Sequence, residues 1–192
     1  MIDPKMVQLT PYEGIPHLRV PVIYTPEDAK SAVADLLEEV DRRFELFANS
    51  GVLNITEYNA EASEKLPFII LLGTEIADLM MVDGEFYGRA FSLLAMKARA
   101  TGIHMYIATQ RPSSDVLLDV LVGGIFGRLV FAVASKTDSE WLLGESGAEL
   151  ITEQGRLIFK DNVANVKHSV KAAYVTDEEV MKIVESIKDQ TE

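Results

Sequence analysis

The stretch 66–81, LPFIILLGTEIADLMM, decides how the rest of the chain is read. The run 68–72, with Leu66 ahead of it, is apolar at every position and too short for a typical helix. It therefore reads as a strand buried on both faces. The run stops at Gly73-Thr74, and the acids Glu75 and Asp78 follow in an acidic loop. Parallel α/β sheets hold ligands in the crevice beyond the C-terminal ends of their strands, so a carboxylate delivered there is a candidate for chemistry. The same pattern also fits a scaffold strand followed by a solvated loop.

Working outward, a second strand-like run spans 103–108 and exits into Thr109-Gln110-Arg111-Pro112-Ser113. Between the two runs the spacing predicts a helix from about 85 to 100, closed by Thr101-Gly102. Upstream, Thr25-Pro26-Glu27-Asp28 is a helix start, with a hydroxyl cap, proline in the first turn and acids facing the dipole. Ala29, Val33, Leu36, Leu37, Val40, Phe44 and Phe47 keep helical spacing up to Asn49-Ser50-Gly51. Residues 10–24 read as loop and 52–65 as a polar connection. Downstream, the expected elements are a short helix from 114 or 115 to 122, a strand over 128–134 and a capped helix over 137–143. A hairpin follows, with arms 155–159 and 166–175. Thr176-Asp177-Glu178-Glu179 is a capping box that opens a last amphipathic helix. Alternating strands and helices indicate an α/β fold with a mostly parallel sheet. No linker divides residues 1–192, so a single domain is expected.

The net charge is −12 and there are no cysteines. Disulfides and thiolate metal sites are excluded, and the composition suits a reducing cytoplasm. His17, His104 and His168 show no ligand spacing, and no metal site is expected. No apolar run reaches the roughly 18 residues a membrane helix needs. The acidity argues against the whole surface gripping a polyanion. The segment 97–136 is the exception, with Lys97, Arg99, Arg111, Arg128 and Lys136 against Asp115 and Asp119.

Four segments in order, IDPKMVQLTPYEGIPHL (2–18), EIADLMM (75–81), KARATGIH (97–104) and ATQRPSSDV (108–116), resemble the FtsK/SpoIIIE family of DNA translocases. The resemblance implies a RecA-like P-loop NTPase core, truncated at its N-terminus, with a C-terminal hairpin and helix. It implies ATP and Mg2+ as cofactors of the parent family, and double-stranded DNA and ring-partner subunits of a homo-oligomer as partners. By motif position Glu75 matches the water-orienting residue, Gln110 the γ-phosphate sensor, and Arg99 the finger that reaches a neighbouring subunit's site. Arg111 and Lys136 match basic residues that contact DNA. Read without the family, Glu75 caps a helix, Gln110 satisfies backbone groups and Arg99 is a solvated helix residue.

Two departures stand out. No GxxxxGK[ST] phosphate loop occurs in the 192 residues; the resemblance implies that it lies just before the IDPK strand. Thr74 stands where the family carries the magnesium-binding acid, and a neutral hydroxyl cannot offset a divalent charge. Glu140 and Val122 likewise replace basic residues. The expectation is one part of an ATP-driven DNA-transport motor, of the kind used in chromosome segregation. Alone it would be inactive, bind no nucleotide, and hold DNA weakly and without sequence preference. The alternative is a degenerate or engineered non-catalytic module that serves as an oligomerisation scaffold. With an internal strand missing, the strands at 103 and 128 are expected either to leave a gap or to pair directly.

Overall fold

A computed structural model describes residues 1–113 and 123–189. The helix expected from 114 or 115 to 122, with Val122, lies outside the described residues. Two compact units are present, Met1–Gln110 and Arg111–Glu192.

In the first unit, helix α1 (Pro26–Ser50) begins and ends where its caps dictate. The Thr25 hydroxyl accepts from the Asp28 amide, and Gly51 takes the left-handed conformation that closes it. Val33, Leu36, Val40 and Phe47 are buried. Helix α2 (Ile55–Glu61) lies inside the segment expected to be a plain connection. Its signal was present in the sequence: Asn54 Oδ1 accepts from the Thr56 and Glu57 amides, and Glu57 reaches back to the Leu53 amide and the Asn54 side chain. That is a capping-box arrangement.

Strand β1 (Ile69–Gly73) pairs in parallel with β2 (Ile103–Ile107), with Ile69 opposite Ile103. Ile2 bridges Gly73 on one side and Ile23 on the other, both in parallel sense. The N-terminal segment thus lies beside the C-terminal end of β1. The expectation of a strand buried on both faces is corrected. Leu71 is buried, but Phe68 and Ile70 are 58% and 57% exposed and Tyr106 is 64% exposed. These three side chains share the face opposite Leu71 and Ile103, and the described residues do not cover it.

Helix α3 (Ile76–Lys97) starts directly after Glu75, so the expected acidic loop and later helix start are also corrected. Ile76, Ala77, Leu79 and Met80 are buried, and their packing favours helix from the first turn. The chain breaks helical geometry at Asp83, whose carboxylate accepts from the Phe86 amide and restarts the helix. Asp83 also pairs with Lys30 of α1 at 2.7 Å. Arg43, fully buried in α1, donates from one nitrogen to the carbonyls of Pro67 and Thr101, while its Nε bonds Glu39.

In the second unit β3 (Gly127–Val130), β4 (Arg156–Asp161) and β5 (Val166–Lys171) form an antiparallel sheet in the order β3-β4-β5. Among the described residues the strand from Gly127 is paired with β4. Helix α4 (Lys136–Leu143) is capped by Ser135 and closed by left-handed Gly144. Val130, Leu143 and Ala148 form a small core with Val133, Leu142, Ile151 and Ile158 packed against it. Buried Ser139 pins the turn beyond α4, donating to the Glu145 carbonyl and accepting from the Ala148 amide. Helix α5 (Asp177–Asp189) opens with the expected capping box between Thr176 and Glu179.

Candidate functional site

The elbow between β1 and α3 is built on one residue. Glu75 adopts φ 49°, ψ 43°, left-handed space that costs an ordinary L-residue about 1–2 kcal/mol. The elbow is held by backbone bonds to the exit of β2: the Ala108 amide donates to Gly73 at 2.9 Å and the Ile76 amide to Ala108 at 3.1 Å. The turn drives the Glu75 side chain inward, where it is 4% exposed. Lys5 Nζ lies 3.4 Å from Glu75 Oε2, yet that oxygen accepts no hydrogen bond. The Glu75 side chain also makes no capping bond to α3. A buried carboxylate held in strained backbone with an unsatisfied acceptor is the arrangement found where a polar ligand or water is to be received.

The neighbouring Asp3 is treated in the opposite way. Its Oδ2 accepts the amides of Val7, Gln8 and Leu9, and its Oδ1 accepts from the Lys5 amide and the Thr74 hydroxyl. Burial raises its pKa, but these bonds outweigh it and hold the carboxyl below the ordinary aspartate value. Asp3 thus has no acceptor left for a cation, and Thr74 Oγ1 is committed to Asp3. Neither Asp3 nor Lys5 was assigned a role on the sequence; the IDPK motif was the available signal, but Thr74 and Glu75, which they meet in the fold, lie about 70 positions away.

Because β1 and β2 run parallel, Glu75 and Gln110 emerge at the same end of the sheet, and Gln110 is exposed there. Arg99 lies at the other end, beyond the C-terminus of α3. The Ile103 amide bonds the Ala98 carbonyl, which sets Arg99 beside the start of β2. There Arg99 and Lys97 rim a depression lined by Phe44, Phe68, Met96 and His104, with Phe68 and His104 stacked at 5.9 Å. Arg99 is thus separated from the elbow of its own chain. In the second unit Arg111 is exposed, and Lys136 opens α4. Lys136 pairs with Glu140 at 3.4 Å, so the acid partly neutralises the base one turn away.

The residues present do not fit a magnesium–nucleotide complex by themselves. Thr74 and Asp3 are engaged with each other, and no group of three or more His, Asp or Glu side chains gathers as a metal site among the described residues. Likewise, among those residues no helix is long and apolar enough to cross a membrane.

Comparison with solved structures gives the fold. The chain superposes on the conjugation coupling protein TcpA of pCW3, in its monomer form with ATPγS, with a TM-score of 0.80. The identity is 28%, over 90% of this chain and 51% of that one. On EssC ATPases 2 and 3 from Geobacillus thermodenitrificans the TM-score is 0.75 at 21% identity, over 95% of this chain and 35% of that one. The fold is thus α/β of the P-loop ATPase motor type. In sequence, the chain is 42% identical to DNA translocase FtsK of Streptococcus pyogenes serotype M1, over 100% of its own length and 25% of that protein. It is also 42% identical to DNA translocase FtsK of Lactococcus lactis subsp. lactis strain IL1403, over 100% of its length and 26% of that protein. The chain spans about a quarter of the length of these curated relatives. The FtsK/SpoIIIE family model matches residues 1–114. This chain belongs to the FtsK/SpoIIIE family.

Proposed function

We propose that residues 1–192 form part of one motor domain of an ATP-driven double-stranded DNA translocase. In this reading Glu75 orients the attacking water, Gln110 senses the γ-phosphate, and Arg99 serves the site of a neighbouring subunit in a homo-oligomer. One observation carries the reading: a buried Glu75 with an unsatisfied oxygen, strained at the C-terminal end of a parallel strand pair. Arg99 lies at the end of the β1–β2 pair opposite to Glu75, which supports a shared site in which each chain's arginine serves a neighbour. A phosphate cradle and a magnesium-holding acid must come from residues other than these, so the isolated chain hydrolyses no ATP. Arg111 and Lys136 contact DNA phosphates weakly and without sequence preference, and the working compartment is the cytoplasm.

The test is calorimetric titration of the chain with Mg-ATP, beside an ATPase assay. No binding and no turnover are expected, and Thr74→Asp alone does not restore either. Turnover that disappears in Glu75→Gln would show that these residues suffice and overturn the split-site assignment. A second reading, a non-catalytic oligomerisation module, draws on Thr74 standing in the acid's place. Joining Thr74→Asp to a phosphate-loop segment separates the two, because only the motor reading expects turnover to appear.

A further inference from the structure

The antiparallel sheet carries a row of cations straight across its three strands. In the register Arg128 stands opposite Lys160, and Lys160 opposite Lys167. Directly opposed residues share a face with Cβ atoms about 5 Å apart, and like charges so placed destabilise a sheet. Such a row needs negative charge beside it. Two sources are present, and neither satisfies the middle cation. Arg128 donates to the Leu142 carbonyl at 2.6 Å, in the last turn of α4. Lys167 pairs at 2.6 Å with Glu145, a side chain 60% exposed to solvent. Lys160 forms no ion pair among the described residues. Its ammonium lies against Gly144, 3.7 Å from where a Cβ there would stand.

Burial, then repulsion from Arg128 and Lys167, holds the Lys160 pKa below the usual lysine value, and Glu145 is too weak a counterweight to reverse this. The platform beneath is fixed. Asp161 accepts the amides of Val163 and Ala164 inside the hairpin turn, and Asn162 is tied to the backbone of Ile125 and Phe126. The cations are therefore held together by the fold at a cost that an incoming anion would offset.

We propose that this row is a binding site for a phosphate group, with Lys160 as its main contact and Glu145 as a displaceable carboxylate that occupies Lys167 in its absence. A tetrahedral anion reaches several donors at once, and charge-assisted bonds from lysine and arginine are the strong ones. Every residue involved lies in the second unit, at the C-terminal end of α4, away from Lys136 at its start. The site owes nothing to the nucleotide elbow. The phosphate is either free or part of a duplex backbone.

NMR titration of the whole chain with inorganic phosphate at low ionic strength tests the site, read from the amides of Gly144, Lys160 and Lys167. Lys160→Met keeps the aliphatic stem and removes the charge. It is expected to weaken phosphate about tenfold, with a melting temperature that holds or rises because a repulsion is gone. Glu145→Gln removes the competitor and is expected to strengthen phosphate by about threefold. Lys171→Met, whose ammonium is paired with Glu153, is the control and leaves the affinity unchanged. Phosphate affinity unaltered in both Lys160→Met and Glu145→Gln overturns the site, as does an equal loss in Lys171→Met. Fluorescence anisotropy with a short duplex identifies the source. An accompanying drop in DNA affinity, with a salt slope lower by about one, assigns the phosphate to a nucleic-acid backbone. Unchanged DNA binding beside weakened phosphate assigns it to a free anion.

Discussion

Asp3 and Glu75 are carboxylates buried on either side of Thr74, and the fold treats them in opposite ways. The Asp3 loop wraps its carboxylate in four backbone amides and a hydroxyl. The β1–α3 elbow leaves Glu75 with the Lys5 ammonium at 3.4 Å and an oxygen that accepts no hydrogen bond from the described residues. Burial is common to both, so burial does not mark function here. They differ in satisfaction: the carboxylate of Asp3 is saturated by protein donors, and one Glu75 oxygen accepts no hydrogen bond from the described residues.

The sharpest way to break this contrast is to remove the acids in turn. Asp3→Ala takes the shared acceptor from four part-buried amides and a hydroxyl, and is expected to cost about 3 kcal/mol in urea denaturation. Glu75→Gln is expected to leave stability nearly unchanged; a loss as large as that of Asp3→Ala would make both acids architectural. Acidification comes next in size. The folded pKa of Asp3 is lowered, and that of Glu39 is lowered to about 2 by the Arg42 hydrogen bond, against burial and with help from Arg43. Depressed carboxylates stabilise above their unfolded values, near 3.8 and 4.5, and lose that contribution as pH falls through the folded ones. Stability followed by circular dichroism should therefore decline between pH 4.5 and about 2, with a shallower slope in Glu39→Gln.

Smaller effects refine the comparison. Glu75→Gly relieves the left-handed strain and is expected to gain about 1 kcal/mol, measured by thermal unfolding. Thr74→Val removes the hydroxyl bond to Asp3 at nearly constant shape and is expected to lose about 1 kcal/mol. The smallest change belongs to the exposed Glu153, where Glu153→Gln removes contacts to Arg156 and Lys171. Its effect should vanish at about 1 M salt, since exposed pairs are screened.

What could be read from the residues follows from how local each signal is. The caps of α1 and α5 rest on side chains bonding amides three positions away, so Thr25 and Thr176 announced their helices; α4 starts one residue before the expected 137, on the Ser135 cap. Asn54 and Glu57 carry the same local signal, and α2 was legible though read as connection. The start of α3 was not legible, because the left-handed backbone of Glu75 lets a helix begin only three residues after the strand ends at Gly73. The partner of β3 was not legible either: 128–130 reads as a strand in any sheet, and its pairing to 158–160 is decided at long range. At the site, the motif order placed Glu75 and Gln110 at strand ends, while the Asp3–Thr74 and Lys5–Glu75 contacts exist only once Ile2 has paired with Gly73.

The buried guanidinium of Arg43 has a use as a gauge. Pro67 and Thr101, whose carbonyls it grips, stand two residues before Ile69 and Ile103, which are partners in the parallel ladder. Arg43 therefore touches the two strands at the same rung. A parallel pair has no tight turn to set its alignment, and a slip of one residue would exchange Ile103 for His104 on the buried face. One nitrogen with two hydrogens cannot reach both carbonyls after such a slip. Helix α1 thus reads off the alignment of two strands that lie after it in the chain, and rejects the wrong one.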